Sequence, residues 1–318
     1  MSELFFSVVV CTYNQENYIA QTLDSIIGQK HDYPYEIIVG EDCSIDGTRD
    51  VLLKYKERYP DIIKLILNEN NVGVIKNYFN VISHCTGKYI MQCAGDDYWL
   101  PGKVSAQIAF MEDNPDVGLC CGNVQKLHVN GLRTVTDGCK GSRNIEYLVT
   151  GYDIYAVTIC LRRELILEYI EDIKPLEKSW VMEDAPLCLW FAHNSNIYFL
   201  NNVLAVYRLS ENSITRSNEY NKTKTFLCST VEVRNFFLDL YRYHISKEEL
   251  DNEMSLVFAR CALQYKQYEE YKVYISKVHS RNIEIVIKKM VGKCQWLFNL
   301  CYHYICAKSI LTKHGEKI

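Results

Sequence analysis

The chain has no run of apolar residues approaching the ~18 that a spanning helix needs, so a membrane-embedded class is not expected. None of its fourteen cysteines forms the paired CxxC spacing from which tetrahedral zinc sites are made. They are scattered, several inside apolar runs (Cys93, Cys120, Cys121, Cys160, Cys188), the pattern of buried free thiols in a reducing compartment. An excess of positive charge is also missing. Thirty-five basic residues face 39 acidic ones, a formal charge of −4, and no nucleic-acid partner is expected. The stretch Met1 to Val10 lacks a basic region and runs directly into an apolar strand pattern, unlike a signal peptide. Internal repeats and low-complexity tracts are absent too. What remains is a 318-residue chain with 48% apolar content, enough for one large α/β domain and an accessory segment, expected in the cytoplasm.

The first hundred residues alternate strand-like and helical periodicity. Phe6 to Cys11, Tyr35 to Gly40, Ile62 to Leu67 and Lys88 to Cys93 read as strands; Asn17 to Gly28, a stretch from Asp46 to about Tyr59, and Gly73 to Cys85 read as helices. This alternation implies a parallel sheet with right-handed crossovers, in which ligands bind at the carboxyl ends of the strands. Beyond residue 100, helices are expected over Lys103–Asn114, Glu164–Glu171 and Glu183–Asn194, and strands over Val117–Val129, Ala156–Leu161 and Ile197–Leu209. The chain from about Asn221 onward reads as helical, with a boundary in the polar stretch of residues 215–222. The expected division is a catalytic domain over residues 1–220, its first hundred residues binding the donor and residues 101–220 the acceptor, followed by a helical region over 221–318.

Polar clusters stand at the strand ends. Ala94-Gly95-Asp96-Asp97-Tyr98-Trp99 follows the fourth strand, and two adjacent carboxylates in a glycine turn can hold a divalent cation against a diphosphate, because hard oxygen ligands suit Mg²⁺ or Mn²⁺. Read alone, the same pair is a solvated turn before a helix. Cys11-Thr12-Tyr13-Asn14 ends the first strand and offers donors to a nucleotide, or else caps the next helix. Gly40-Glu41-Asp42 ends the second, where a carboxylate can accept from an imide N–H or a ribose hydroxyl; Asp46 and Thr48 just beyond suit a helix N-cap.

In this order, Ser7-Val-Val-Val-Cys-Thr-Tyr-Asn14, Glu36-Ile-Ile-Val-Gly-Glu-Asp-Cys-Ser-Ile-Asp-Gly-Thr48, Asn68-Glu-Asn-Asn-Val-Gly73 and Gly87-Lys-Tyr-Ile through Gly95-Asp-Asp-Tyr-Trp99 resemble family 2 glycosyltransferases, inverting enzymes with the GT-A fold. The resemblance covers about the first 220 residues. It implies a Rossmann-like, mostly parallel α/β sheet flanked by helices, here with a helical C-terminal segment. It also implies a nucleotide-sugar donor, UDP-linked above all, bound by Thr12, Tyr13, Asn14, Asp42 assisted by Glu41, and Asp96. Asp97, with Asp96, would ligate Mn²⁺ or Mg²⁺. Ala94 stands where many members carry a first acidic residue, so the motif is reduced to Gly95-Asp96-Asp97. Met182-Glu183-Asp184-Ala185-Pro186-Leu187 resembles the family's Glu-Asp motif, which makes Asp184 the base on the acceptor hydroxyl and Glu183 the residue that positions the acceptor. Without the upstream motifs, the pair reads as acids at the positive end of a helix. Val206-Tyr-Arg-Leu-Ser-Glu-Asn-Ser213 resembles the segment from which a basic side chain approaches the diphosphate, here Arg208, although a surface ion pair fits that arginine as well. Trp99 and Trp180 are candidates for stacking on sugar rings or for the core, and His193 for a core residue.

The resemblance further implies a glycan or lipid-linked saccharide acceptor in bacterial surface-polysaccharide synthesis. From Arg281 the chain carries seven basic residues against two acids, interleaved with Trp296, Leu297, Phe298, Leu300, Tyr302, Tyr304 and Ile305. That pattern suits a helix on the anionic inner face of the plasma membrane, or one packed on the catalytic domain or in a homo-oligomer. Two rival readings stand beside the transferase: a nucleotidyltransferase, against which the absence of a Gly-rich basic loop after the first strand counts, and a catalytically silent nucleotide-sugar-binding or scaffold protein of the same fold.

Overall fold

The computed structural model describes residues 4–138, 140–209, 219–243, 247–279 and 283–313. The chain divides into two compact units, Met1–Leu127 with Arg133–Arg208, and His128–Leu132 with Leu209–Ile318. Of the expected boundary stretch, residues 215–218 lie outside the described residues.

The first unit is built on one sheet. Strands β1 (Phe6–Thr12), β2 (Tyr35–Glu41), β3 (Ile63–Leu67) and β4 (Tyr89–Ala94) alternate with helices α1 (Ile19–Ile27), α2 (Thr48–Arg58) and α3 (Val74–Ser83). They lie parallel in the order β3-β2-β1-β4. Val8, Val9 and Val10 of β1 are all buried, as a parallel strand covered on both faces requires. Ile19, Leu23 and Ile26 recur every three to four residues on α1 and form its buried stripe. The register sets Thr12 opposite Glu41 and Cys11 opposite Ala94, so three strand ends share one edge.

The second part of this unit runs β5 (Tyr98–Trp99), α4 (Lys103–Asp113), β6 (Val117–Leu127), β7 (Arg133–Val135), β8 (Gly141–Ser142), α5 (Ile145–Thr150), β9 (Cys160–Arg162), α6 (Arg163–Ile173), α7 (Asp184–Asn194) and β10 (Asn196–Arg208). The sheet continues from β4 through β9, β6 and β10 to β5. Here the sheet becomes mixed, within the mostly parallel architecture expected of it. Strand β9 pairs antiparallel with both β4 and β6, and β5 antiparallel with β10. The chain enters β9 from the side where β4 ends, and an antiparallel neighbour needs no crossover helix. The strand expected over Ala156–Leu161 is a 3-10 turn at Ala156–Thr158 followed by the short β9. The strand expected to reach Val129 stops at Leu127, because the chain reverses at Gly131, whose φ of +80° suits glycine. Of residues 197–209, read as one or two strands, 197–208 belong to the single strand β10, with register shifts near Val203.

The second unit is helical: α8 (Tyr220–Leu240), α9 (Lys247–Gln264), α10 (Tyr268–Lys277), α11 (Ile283–Lys293) and α12 (Gln295–Lys313). Its core joins Ala259 and Ala262 of α9, Tyr271 and Ile275 of α10, Ile285 and Val291 of α11, and Phe298 of α12. The Tyr271 hydroxyl donates to the Lys288 carbonyl at 3.0 Å, and a Cβ at Gly292 would come within 2.7 Å of the Ile275 side chain, so the glycine lets α11 close on α10.

The first unit's base is tied by one buried carboxylate. Glu36 Oε1 accepts from the Ser7 hydroxyl at 2.7 Å and from the Thr86 N–H and hydroxyl at 2.8 Å each, while Oε2 meets Lys64 Nζ at 2.6 Å. Burial alone would raise its pKa, yet the bonds from Lys64, Ser7 and Thr86 outweigh it and hold the carboxyl below its ordinary value. A depressed carboxylate contributes stability above the unfolded pKa and loses it as pH falls through the folded one. Glu36→Gln is therefore expected to lower stability near neutral pH by about 2 kcal/mol and to flatten the acid limb below pH about 4, read by urea unfolding across pH.

Candidate active site

The loops that leave β1 and β2 are zipped together at the carboxyl edge of the sheet. The Asn14 N–H donates to the Ser44 hydroxyl at 2.9 Å and the Ile45 N–H to Asn14 Oδ1 at 2.9 Å. Gln15 N–H reaches Thr48 Oγ1, Glu16 N–H reaches Asp46, and Gly47 N–H reaches the Glu16 carboxylate, at 2.8, 3.1 and 2.7 Å. Both sides need a left-handed residue, Asn14 at φ 53° and Cys43 at φ 59°, an uncommon backbone that clusters at functional sites. Asp46 accepts from the Thr48 N–H at 3.0 Å from one residue before the cap, the N-cap of α2 being Gly47 rather than Asp46 or Thr48. Tyr13 is left projecting to solvent.

Glu41 and Asp42 carry this rim from beneath. Glu41 has no exposed surface; Arg49 Nε donates to it at 2.6 Å and Ser44 N–H at 2.5 Å, while the Arg49 guanidinium forms an ion pair with it. Asp42 is nearly as buried. It accepts from Asn68 Nδ2 at 3.0 Å, from Val72 N–H at 2.8 Å and from Gly73 N–H at 2.9 Å, fixing the turn that starts α3.

The acidic turn sits beside Thr12. Gly95 N–H donates to the Cys11 carbonyl at 3.0 Å, and a Cβ at Gly95 would fall 2.3 Å from Gln15 Oε1 and 2.7 Å from Thr12 Oγ1, so no other residue fits without moving both. The Thr22 hydroxyl lies 2.9 Å from the Gly95 carbonyl and 2.7 Å from that of Asp97, clasping the turn onto α1. Asp97 is 3% exposed; its Oδ1 accepts from the Arg208 N–H at 2.8 Å. Burial, with Asp96 beside it, pushes Asp97 well above the usual carboxylate range, and burial raises Asp96 as well. Arg208 Nε donates to the Asp96 carbonyl and Nη2 to Gln21, both at 2.8 Å, and the guanidinium stacks 4.4 Å from the ring centre of Tyr18.

Glu183 and Asp184 open α7, where Asp184 Oδ1 accepts from the Ala185 N–H at 2.8 Å. Both are half-buried. Burial and the neighbouring Asp184 push Glu183 up to about 8, and burial raises Asp184. Glu183 also acts on groups of the donor rim: burial first, then the fields of Glu183 and Asp42, raise the Cys11 thiol, and Glu183 adds to the burial that raises Tyr78. Asp184 acts likewise on Tyr152, whose hydroxyl donates to Cys188 Sγ at 3.4 Å. The structure thus gathers Thr12, Asp42, Asp96, Asp97 and Arg208 at one edge and brings Glu183 within electrostatic reach of it.

A divalent cation fits this donor set. Among the described residues no group of three or more His, Cys, Asp or Glu forms a closed cage. Mg²⁺-like ions are instead held by one or two carboxylates completed by substrate phosphates, and the repulsion between Asp96 and Asp97 is what such an ion would relieve.

Sequence reasoning missed several residues. Thr22, Gln15, Tyr18 and Gln21 hold the turn and Arg208; only Thr22, a polar position on the buried stripe of α1, left a signal. Trp99 proves to be core, its Nε1 donating to the Gln92 carbonyl at 3.1 Å and its ring under Lys103 Nζ at 4.5 Å; Trp180 is buried as well. His193, expected in the core, is exposed at the end of α7. The cysteines described are free thiols.

The family model described as "Glycosyl transferase family 2" matches residues 7–167. The chain is 27% identical over 229 residues to the Escherichia coli protein WfgD, named as a UDP-Glc:alpha-D-GlcNAc-diphosphoundecaprenol beta-1,3-glucosyltransferase, covering 70% of this chain and 84% of that one. Among solved structures it resembles S. aureus TarS 1–349 in complex with UDP-GlcNAc, with a TM-score of 0.59 and 18% identity over 94% of this chain and 90% of the other. It also resembles the mannosyltransferase PcManGT from Pyrobaculum calidifontis in complex with GDP-Man and Mn²⁺, with a TM-score of 0.55 and 15% identity over 98% and 88%. At these identities the structural likeness speaks for the fold.

One consequence concerns pH. Glu183 ionises near 4.5 when unfolded and about 8 when folded, so across that window the folded chain holds the extra proton and stability falls as pH rises. Glu183→Gln is expected to reduce the loss of melting temperature between about pH 6 and about pH 9, measured by differential scanning calorimetry.

Proposed function

The chain belongs to glycosyl transferase family 2 and is a glycosyltransferase with the GT-A fold; from that premise we propose that it moves a sugar, with inversion, from a nucleotide-diphosphate sugar to a hydroxyl of a glycan or lipid-linked saccharide. The observation that carries this reading is the Asp96–Asp97 turn, packed against Thr12 and hydrogen-bonded to Thr22 and Arg208 at the ligand-binding edge of the sheet, with Glu183 in reach of the same edge. UDP is the proposed nucleotide and a lipid-linked acceptor the proposed partner, in line with the activity named for WfgD and the UDP-GlcNAc held by TarS. Residues 1–220 would form the catalytic domain, donor half first and acceptor half from residue 101, and peripheral attachment to the inner membrane face would bring such an acceptor within reach.

Thr12, Tyr13, Asn14 and Asp42 would hold the nucleotide, with Glu41 bracing the Asp42 loop through Arg49. Asp97 and Asp96 would hold Mn²⁺ or Mg²⁺, which when bound supplies positive charge to the leaving diphosphate. Arg208 spends two of its five N–H groups on Asp96 and Gln21 and keeps others for phosphate oxygens. On the acceptor side Asp184 takes the hydroxyl proton as the acceptor oxygen bonds to the anomeric carbon; the bond from that carbon to the diphosphate breaks on the opposite face, and the electron pair leaves with the diphosphate. Glu183, protonated near neutral pH, donates a hydrogen bond that orients the acceptor.

Calorimetric titration of UDP, dTDP and GDP, with and without Mn²⁺, tests the donor half. UDP is expected to bind in a Mn²⁺-dependent way, and Asp97→Ala to weaken that binding by about tenfold or more, the loss of one hydrogen-bonded charge. No nucleotide bound by folded protein would favour the silent-scaffold reading. Asp184→Asn is expected to cut kcat by ~10²–10⁴ with donor binding intact, the contribution of one general base; a fully active variant would place the base elsewhere.

A further inference from the structure

Helices α11 and α12 are apolar on two opposite sides. One side closes the core of the second unit through Ile285, Val291 and Phe298. The other is bare: Val286, Ile287 and Met290 of α11 are 45, 56 and 57% exposed, and Trp296, Leu300 and Tyr304 of α12 are 68, 53 and 67% exposed. Residues 296, 300 and 304 follow an i, i+4, i+8 spacing, which at 3.6 residues per turn draws one stripe along the helix. A contiguous apolar patch left exposed on the side away from the core marks an interaction surface. Chemistry selects that partner. From Ile283 to Lys313 there are five lysines (288, 289, 293, 308 and 313) against the single Glu284, in a chain whose formal charge is −4. Lys293 is exposed between the two apolar patches, and Lys266 lies over the Tyr302 ring at 5.3 Å. Among the described residues no helix is long and apolar enough to cross a membrane. Bulky aromatic and aliphatic side chains among lysines suit the boundary between headgroups and acyl chains, where each Lys near an anionic surface adds to the attraction.

We propose that the outer face of α11 and α12, centred on Met290, Lys293, Trp296 and Leu300, seats the chain on an anionic phospholipid surface. This rests on the peripheral attachment put forward above and assigns it to one face, independently of the transfer chemistry. Trp296 is the emission probe, since Trp99, Trp180 and Trp190 are all buried.

The test is flotation of the full chain with vesicles of phosphatidylglycerol mixed into phosphatidylcholine, against phosphatidylcholine alone, at low and high salt, with calorimetric UDP binding run in parallel. The chain is expected to float with the anionic vesicles, to release at high salt, and to shift its tryptophan emission to the blue. Trp296→Ser with Leu300→Ser, and separately Lys289→Glu with Lys293→Glu, should each lower the bound fraction about tenfold or more while nucleotide binding is unchanged. No flotation, equal binding to neutral vesicles, or equal binding by both variants overturns the assignment. A dimer in light scattering that the Trp296→Ser, Leu300→Ser variant abolishes, without flotation of the wild type, gives the face to self-association and overturns it too. Loss of UDP binding by wild type counts against the transferase reading instead, whatever the vesicles do.

Discussion

The hydrogen bond from the Arg208 N–H to the Asp97 carboxylate joins positions 111 residues apart, and much of the first unit's geometry hangs on it. It fastens the end of β10 to the turn that leaves β4. From there Asp97 and Gly95 carbonyls run to Thr22 on α1, and Gln15 ties the same corner to Thr12. A buried carboxylate costs stability unless its oxygens are bonded, and here the backbone of a distant strand supplies a bond. The arrangement explains why an acidic pair is tolerated at the end of an apolar strand: one oxygen of the buried Asp97 is a structural acceptor for a distant backbone N–H.

The same economy of bonding recurs at Asp42 and Glu41. Asp42 gathers the N–H groups of Val72 and Gly73 as well as Asn68, and Glu41 gathers Arg49 and Ser44, so the rim around the proposed nucleotide site is held by carboxylates whose own desolvation is compensated by chain donors. A site built this way is set before a ligand arrives, which is the condition for electrostatic groups to act without reorganisation.

How much of this was legible from the residues differs along the chain. Strands β1 to β4 were readable because each is a short, predominantly apolar run bounded by polar turns, and helices α1 and α3 because their apolar residues recur every three to four positions. The antiparallel β9 was not, since a three-residue strand carries too little periodicity and its direction depends on how the chain returns. The two acidic pairs stood out as adjacent charges beside apolar runs. Their supports did not: Tyr18 and Gln21 look like ordinary helix residues, and only the fold brings Arg208 onto them across more than 180 positions. His193 and Trp99 were placed by residue type, an average that one helix end and one buried indole N–H were enough to settle in opposite ways.

The turn at Gly95 leaves no space for a β-carbon against Thr12 and Gln15. Any side chain at position 95 requires both neighbours to retreat, and one of them, Thr12, is a proposed donor contact. Positions 12, 15 and 95 are therefore sterically coupled, a side chain at 95 demanding adjustment at both others, whereas Ile45 at the neighbouring loop tip is 88% exposed.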